Sequence, residues 1–200
     1  MYGIPQTAKH HPEVCTGAHI ELCLKAASAL DADGPTRVAV LLHDLGKGLT
    51  PSHVLPQHID HESAGIPLVQ QVAKRFDLDA DTTKLALAVC EHHLQAHRAL
   101  ELQHKTVARW ADVVGLDKDP VFAERFVTAC LADKSGRLGL EDEPYPQGEF
   151  LREAFAALHK LPMDPTWDQL SVEWVSQHRA RISAVGAIKH RYSSPGSVPC

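Results

Sequence analysis

The sequence predicts an all-α fold, and three observations support this fold class. Apolar residues recur at the i, i+3, i+4 and i+7 spacing of a helix in successive segments along the chain. These segments are separated by Gly, Pro and Asp residues, which commonly start or end helices. No segment alternates apolar and polar residues in the way that a half-buried strand does.

The predicted helices follow an irregular N-terminal segment, residues 1–14. In chain order they cover residues 17–30, 38–48, 61–76, 80–97, 104–115, 120–133, 149–160 and 167–188. Asp60 is a candidate N-cap for the third helix, and Asp79 or Asp81 for the fourth. A loop rich in Pro and His, residues 49–60, precedes the third helix, and a polar tail follows the last one.

Length and composition fit one soluble globular domain with a real core, or one domain with a tail. The chain has 200 residues, of which 44% are hydrophobic and 22% are charged. No apolar run reaches the roughly 18 residues that a membrane span needs, and the N-terminus lacks the pattern of a signal peptide. The five cysteines form no CxxC pair, so we expect a reducing, cytoplasmic environment and no membrane association.

Charge, histidine content and missing motifs narrow the function. The net charge is −5, with acids and bases mixed along the chain, which argues against nucleic-acid binding by the field of this domain alone. The sequence contains no HExxH, no Walker-type loop, no GxGxxG and no GxSxG. Fourteen histidines are an unusual number, and they justify a search for a metal site.

The stretch VAVLLHDLGKG, residues 38–48, predicts a central helix that lines a polar cavity. Its apolar stripe for packing consists of Val38, Leu41, Leu42 and Leu45. The opposite face presents His43, Asp44 and Lys47, and an imidazole beside a carboxylate is a ready pair of metal ligands. The two glycines of LGKG are expected to end this helix.

Four other predicted helices each carry a titratable residue in line with an apolar stripe: His19, His61, His93 and Asp133. Because apolar stripes face the core, we expect these groups to be at least partly buried. A lone histidine in such a place is often a hydrogen-bonded core residue, and Asp133 could pair with Arg109 or Arg137. Together with the central helix, five helices carry such a residue, and this coincidence favours a shared metal.

The predicted chemistry is that of a divalent metal. His19, His43, Asp44 and Asp133 would be its ligands, a set that suits Mg²⁺, Mn²⁺, Fe²⁺, Ni²⁺ or Zn²⁺ without choosing among them. Two further histidines, His61 and His93, would hold a second metal or bind a phosphate by hydrogen bonds. Lys47 would contact a substrate phosphate, or else be an ordinary solvated cation near a helix C-terminus.

The order of an isolated His19, then His43 with Asp44, then a distant Asp133 resembles the HD superfamily of metal-dependent phosphohydrolases. A longer series of motifs is similar to the C-terminal HD domain of bacterial multifunctional tRNA nucleotidyltransferases, the CCA-adding proteins. The motifs are GIPQ, HHPEVCTGAH, LLHDLGKG, LPQHIDHE, HRALEL, ADKSGR and DEPYPQGEFLREAF. They extend over roughly residues 3 to 160, and more faintly over the last helix.

This resemblance implies an all-α HD domain with metal-dependent phosphatase, 2′-nucleotidase and 2′,3′-cyclic phosphodiesterase activity. We expect the HD domain to cover residues 1–160, with a C-terminal helix and tail at 161–200. We assign metal binding to His19, His43, Asp44 and Asp133, and catalytic roles to Asp44, Lys47, His61 and His93. The expected cofactor is Mg²⁺, Mn²⁺ or Ni²⁺, and the expected partner is a phosphoester or an RNA end, with weak tRNA binding possible.

The same resemblance sets a limit. In that family, CCA addition belongs to an N-terminal domain with a Gly-rich strand-turn and paired carboxylates, and these 200 residues contain neither. We therefore do not assign nucleotide addition, and we expect either an excised domain or a gene product without that domain. Two alternatives to an RNA-end phosphohydrolase stay open: a non-catalytic module that holds tRNA, and a stand-alone nucleotidase.

Overall fold

A computed structural model describes residues 1–161, 163 and 171–193, and over these residues the all-α fold class is confirmed. The helices are α1 (Thr16–Ala29), α2 (Gly34–Leu42), α3 (His61–Arg75), α4 (Ala80–His97), α5 (His104–Val114), α6 (Pro120–Ser135), α7 (Pro146–His159) and α8 (Val172–Ser193). A 3₁₀-helix, Leu45–Leu49, follows α2. The described residues form no strand, and their β-pairing is an isolated bridge between Pro5 and Cys15.

The chain divides into two compact units, which we describe separately. The first unit consists of Met1–Gln95 and Arg125–Tyr145, and the second of Ala96–Glu124 and Pro146–Cys200. In the first unit, α1 packs on α2, and α3 packs on the 3₁₀-helix. In the second unit, α8 packs on α5 and α7. Among the described residues, no helix is both long and apolar enough to cross a membrane.

The structure corrects the predicted central helix at both ends. Helix α2 begins at Gly34, because Asp33 accepts a hydrogen bond from the Thr36 amide at 3.0 Å and caps it. It ends at Leu42, so His43 is its C-cap and Asp44 lies in a turn with φ −105°. The predicted apolar stripe is wrong at Leu41, which is 45% exposed, and correct at Leu42, which is buried. Ala39 and Val40, outside the predicted stripe, are also buried.

The 3₁₀-helix that follows α2 lies in close contact with the backbone of α3. A Cβ atom on Gly46 would lie 1.9 Å from the carbonyl oxygen of His61 and 2.6 Å from the amide nitrogen of Gly65. Position 46 therefore requires glycine to let α3 approach, and the expected role of the LGKG glycines as helix terminators is wrong. This contact brings His61 to the turn that carries His43 and Asp44.

The N-terminal segment is irregular, as predicted, and it is tied to the first unit by backbone hydrogen bonds. The Gln6 amide donates to the Val14 carbonyl at 2.6 Å, and the Thr16 amide donates to Ile4 at 3.0 Å. Val14 itself has a left-handed φ of 58°, which is unusual for a β-branched residue. The His58 side chain donates through Nε2 to the Pro5 carbonyl at 2.9 Å, so the 50–60 loop and this segment are joined.

The predictions about the helix ends have different outcomes. Asp79 caps α4, since its Oδ1 accepts from the Thr82 amide at 2.8 Å. Asp60 does precede α3, but it has a left-handed φ of 54° and makes no side-chain cap. Phe76, the last residue of the predicted third helix, follows the end of α3 and is 65% exposed. Of the predicted helix 167–188, residues 167–170 lie outside the described residues, and α8 extends to Ser193.

The second unit buries one ion pair beneath α8. The Arg181 guanidinium is 2% exposed and its Nη2 donates to Asp117 Oδ2 at 2.5 Å. Its Nη1 donates to two carbonyl oxygens at the end of α7, at 3.0 Å to Leu158 and 2.5 Å to Leu161. The arginine therefore donates to backbone carbonyl oxygens at a helix end, and it neutralises the buried carboxylate.

Candidate metal centre

Six buried titratable side chains from four helices and a turn meet in the first unit. We call them the histidine–aspartate cluster: His19, His43, Asp44, His61, His93 and Asp133. Helix α1 supplies His19, α3 supplies His61 at its first residue, α4 supplies His93, and α6 supplies Asp133 near its end. The C-cap of α2 and the turn after it supply the remaining two. The structure thus brings together all the residues proposed as metal ligands from the sequence.

The four imidazoles of the cluster share one hydrogen-bonding pattern. Each donates from Nδ1 to a backbone carbonyl at 2.7–3.2 Å: His19 to Gly136, His43 to Val40, His61 to His58, and His93 to Val89 and Cys90. Because a carbonyl oxygen can only accept, the proton must be on Nδ1. In the neutral ring Nε2 is then a lone-pair donor, and in all four histidines this atom faces the cluster.

One group of ligand atoms lies around the side chains of Asp44 and Asp133. His19 Nε2 is 2.9 Å from Asp133 Oδ1 and 3.9 Å from Asp44 Oδ2. His43 Nε2 is 3.2 Å from Asp44 Oδ2 and 3.6 Å from Asp133 Oδ1. These four side chains are the set proposed from the sequence as ligands of the first metal.

A second group lies on the other oxygen of the same carboxylate. Asp44 Oδ1 is 3.2 Å from His61 Nε2 and 3.7 Å from His93 Nε2. The two imidazole Nε2 atoms are 3.4 Å apart. Two lone pairs that face one another at this distance need a proton or a cation between them. Asp44 is therefore shared by two sets of ligand atoms, one on each oxygen.

The electrostatics of Asp44 fit a bound cation. Its side chain is fully buried, and neither carboxylate oxygen makes a hydrogen bond of normal geometry with the described residues. Burial opposes ionisation, but the nearby charges of His43 and Lys47 outweigh it and hold the pKa of Asp44 well below its usual range. Burial likewise opposes charge on His43, whose pKa is nevertheless raised by Asp44 and Asp133.

The donor set agrees with a divalent ion. His43 Nε2 also makes no hydrogen bond, so three buried acceptor atoms of one short segment are left for a cation. Imidazole nitrogen suits Zn²⁺, Fe²⁺ and Ni²⁺, and carboxylate oxygen suits Mg²⁺ and Mn²⁺, so the mixed set does not choose among these ions. The residues present could therefore hold one or two divalent ions without a change in their ring orientations.

Lys47 lies at the edge of the first group rather than in solvent. It is 6% exposed, which rules out the alternative of an ordinary solvated cation. Its Nζ is 2.6 Å from Asp44 Oδ2 and donates a hydrogen bond to Gln6 Oε1 at 2.5 Å. Its ammonium thus faces the same carboxylate oxygen that the imidazoles of His19 and His43 face.

Three side chains beside the cluster were missed by the sequence reasoning. Glu13 Oε1 lies 3.0 Å from His19 Nδ1 and 3.1 Å from His11 Nδ1. Burial opposes ionisation of Glu13, but the contact with His19 outweighs it and lowers the pKa of Glu13 to about 2. Cys23 Sγ is 3.4 Å from His19 Nε2. Gln6 is the third. Gln6 and Glu13 lie in the irregular segment, where no helical period marks buried positions. The motifs that contain them, GIPQ and HHPE, contributed to the resemblance but did not indicate that these side chains are buried.

The chain matches known proteins over this same region. Residues 16–134 match the family described as HD domain. The chain is 42% identical over 198 residues to a multifunctional CCA protein from Alkalilimnicola ehrlichii, and the match covers 98% of this chain and 48% of that protein. With the multifunctional CCA protein from Acinetobacter baumannii the identity is 37% over 196 residues, covering 97% and 48%. With that from Pseudomonas fluorescens it is 42% over 169 residues, covering 84% and 41%.

The chain spans about half the length of the curated relatives it matches. No solved structure matches it. The resemblance to the HD domain of CCA-adding proteins, predicted from the motifs, is confirmed. The matched residues 16–134 exceed half of the 200-residue chain and contain all six members of the histidine–aspartate cluster. The chain therefore belongs to the HD domain family, part of the superfamily of metal-dependent phosphohydrolases whose members bind divalent metals.

Proposed function

We propose that this chain is a metal-dependent phosphohydrolase that acts on small phosphoesters or on RNA ends with a 2′-phosphate or a 2′,3′-cyclic phosphate. The observation that carries the proposal is the sharing of Asp44, whose two oxygens each face a separate set of imidazole nitrogens. The likeness to proteins named multifunctional CCA protein supports an RNA-related substrate. The net charge of −5 favours a substrate held at its phosphate rather than along an extended RNA surface.

In this proposal the cluster divides into two sets of ligands. His19, His43, Asp44 and Asp133 hold one divalent ion, which is Mg²⁺, Mn²⁺ or Ni²⁺. His61 and His93, with Asp44, hold a second ion or bind the phosphate directly. When bound, such ions supply concentrated positive charge that acidifies water and neutralises phosphoryl oxygens. The domain extent of residues 1–160, with 161–200 as a separate helix and tail, stays a prediction.

The side chains of the chain have distinct tasks around this charge. Asp44, kept ionised by its neighbours, orients both sets of imidazoles. The Nδ1 bonds to backbone carbonyls keep the four rings from turning, which holds the geometry ready before substrate binds. Lys47 offers its ammonium to a substrate phosphoryl oxygen. Burial of the cluster excludes bulk water and strengthens each of these interactions.

A substrate panel tests the proposal. The purified chain is assayed with 2′,3′-cyclic nucleotides, 2′-nucleotides and an aryl phosphate, each with Mg²⁺, Mn²⁺ and Ni²⁺. We expect metal-stimulated hydrolysis of at least one substrate. No hydrolysis of any substrate with any of the three metals would contradict the enzyme and favour a module that only holds tRNA. Hydrolysis restricted to free nucleotides would favour a stand-alone nucleotidase.

Lys47→Ala sharpens the test, with Lys74→Ala, an exposed lysine of α3, as the matched control. Loss of one charge-assisted contact costs about 1.5–3 kcal/mol, so kcat/KM is expected to fall roughly ten- to a hundredfold with a raised KM. The amount of bound metal should not change. If Lys47→Ala and Lys74→Ala have equal kinetics, Lys47 does not contact the substrate.

A further inference from the structure

Gln6 has a buried amide group that the proposed mechanism does not use. The residue is 2% exposed, and its Oε1 accepts the hydrogen bond from Lys47 Nζ at 2.5 Å. An ammonium group has no acceptor, so the oxygen of the amide must be the atom that faces it. The orientation of the amide is thereby fixed, and Nε2 points away from the lysine nitrogen.

The Nε2 atom of Gln6 is buried and makes no hydrogen bond with the described residues. A buried donor without an acceptor is unfavourable, and native proteins rarely keep one without a reason. The amide cannot easily turn out to water. Its own backbone is bonded to Val14 at 2.6 Å, and the neighbouring Pro5 is held by His58 at 2.9 Å.

The position of this donor indicates what it binds. Lys47 Nζ, which contacts Gln6 Oε1, also lies 2.6 Å from Asp44 Oδ2. The ammonium of Lys47 therefore lies between the amide of Gln6, which carries the unused donor, and the shared carboxylate of Asp44. The hydrogen-bonded pair of Lys47 and Gln6 therefore holds an ammonium and an amide N–H close together beside the metal centre. Both are donors, and together they suit an anion with several oxygen atoms.

We propose that Gln6 is a substrate-binding residue whose Nε2 donates a hydrogen bond to a phosphoryl oxygen of the phosphoester. This inference rests on the proposed function and adds a recognition element from the N-terminal segment, outside the matched residues 16–134. Lys47 and Gln6 form one phosphate clamp, in which the amide oxygen positions the ammonium and the amide nitrogen contacts the substrate.

The test measures binding of inorganic phosphate to the Mn²⁺-loaded protein by calorimetry, beside a titration with Mn²⁺ alone. Gln6→Met removes the amide at nearly constant size, and Gln71→Met, an exposed residue of α3, is the matched control. We expect phosphate to bind roughly ten- to a hundredfold more weakly to Gln6→Met, since a hydrogen bond to a charged group is lost. The Mn²⁺ titration should be unchanged, and the control should match the wild type in both.

Kinetics separate this role from a merely structural one. The inhibition constant of phosphate and the KM should rise together in Gln6→Met, with a smaller change in kcat. Gln6→Glu keeps an acceptor for Lys47 but replaces the donor with an anionic oxygen, so it should weaken phosphate binding more than Gln6→Met does. Weaker binding by Gln6→Glu than by Gln6→Met supports the donor role, whereas the reverse order contradicts it.

The outcomes distinguish this inference from the proposed function. If Gln6→Met binds phosphate like the wild type while the wild type hydrolyses phosphoesters, the role of Gln6 is wrong and the function stands. If the wild type neither hydrolyses phosphoesters nor binds phosphate, both fail. If Gln6→Met does not fold, NMR spectra of the ¹⁵N-labelled wild type with Mg²⁺, recorded with and without phosphate, provide the test. Phosphate should shift the side-chain amide resonance of Gln6, and an unchanged resonance overturns the inference.

Discussion

Each of the two units buries charged side chains, and the groups around those charges differ. In the second unit, Arg181 and Asp117 are buried as a pair in which the guanidinium also serves the carbonyl oxygens of Leu158 and Leu161. In the first unit, the histidine–aspartate cluster places carboxylate oxygens and imidazole lone pairs against one another. The buried pair of the second unit contains its own cation, whereas the cluster of the first unit has more hydrogen-bond acceptors than donors.

This difference separates a structural ion pair from a ligand-binding site. A buried carboxylate is costly unless a cation or donors compensate it, and Arg181 does so for Asp117 within the same unit. Lys47 supplies one positive charge near Asp44, but both oxygens of that carboxylate still lack a hydrogen bond of normal geometry. We infer that the cluster is completed by something the chain does not encode, whereas the charge of Asp117 is already compensated by Arg181 within the chain.

The largest expected effect is on the cluster itself. Asp44→Ala removes the carboxylate that both sets of ligand atoms share, so bound metal and hydrolysis should both be lost, while the far-UV circular dichroism of the helices persists. Elemental analysis of the purified variant gives the metal content. Asp60→Ala, an exposed aspartate in the neighbouring loop, is the control and should keep its metal. Unchanged metal content in Asp44→Ala would contradict the assignment of the site.

The next effect belongs to the other buried pair. Arg181→Met leaves Asp117 buried without its cation, which should lower the free energy of unfolding by about 3–5 kcal/mol, measured by urea titration. The metal content should not change. Arg179→Met, an exposed neighbour on α8, is expected to be nearly neutral. Adding Asp117→Asn to Arg181→Met should recover part of the loss, and equal stability of the two arginine variants would mean that the pair is not structural.

Metal binding should stabilise the first unit by an intermediate amount. A ligand that binds only the native state at a hundredfold excess over its Kd adds roughly 2.7 kcal/mol. For a chain of this size, this corresponds to a rise in Tm of about 5–10 °C on adding Mn²⁺ to chelator-treated protein. Asp44→Ala should show no such rise. Identical melting curves with and without Mn²⁺ would indicate that the cluster needs no cation.

The smallest effect concerns Asp33, whose partly exposed carboxylate caps helix α2. Burial slightly opposes ionisation of Asp33, but hydrogen bonds from Thr36 and the contact with Arg125 lower its pKa below the ordinary 3.8. Asp33→Ala should cost about 1 kcal/mol near neutral pH through loss of the α2 cap.

The pH dependence of this cost follows from the direction of the shift. A pKa lowered by folding gives stability that is present above the ordinary pKa and is lost as the pH falls through the lowered one. The difference between wild type and Asp33→Ala should therefore shrink below about pH 4. Asp33→Asn keeps an acceptor for the Thr36 amide and should remove most of this pH dependence. A constant difference between pH 7 and pH 3 would contradict the role of the charge.

Much of this comparison could be predicted from the sequence, and the part that could not has a physical reason. Helical spacing predicted a helix at each α-helix of the described residues, and the titratable residues in line with apolar stripes, such as His19 and Asp133, are buried as expected. The period failed at residues 38–48 because the α-helix ends at Leu42 and the chain continues as a 3₁₀-helix, in which Gly46 packs closely against α3. Local periodicity assumes one continuous helix and carries no signal of a contact between segments distant in sequence. Leu41, which the period placed on the buried face, is exposed.

The missed residues share a second reason. Gln6 and Glu13 lie in a segment whose structure depends on single hydrogen bonds and turns, so neighbouring positions carry no repeating signal of burial. Arg181 was missed because a long basic side chain on an amphipathic helix usually reaches solvent. Its burial depends on Asp117 and the carbonyls of α7, which lie far away in the sequence.

Anomalous diffraction from a crystal soaked in Mn²⁺ tests the central claim most directly. The account predicts a peak of anomalous density between the Nε2 atoms of His19 and His43 and the carboxylates of Asp44 and Asp133. A second peak between Asp44, His61 and His93 would show that both sets of ligands bind metal, and its absence would assign those histidines to the phosphate. The absence of any peak at the histidine–aspartate cluster, with Mn²⁺ bound elsewhere or not at all, would contradict the account.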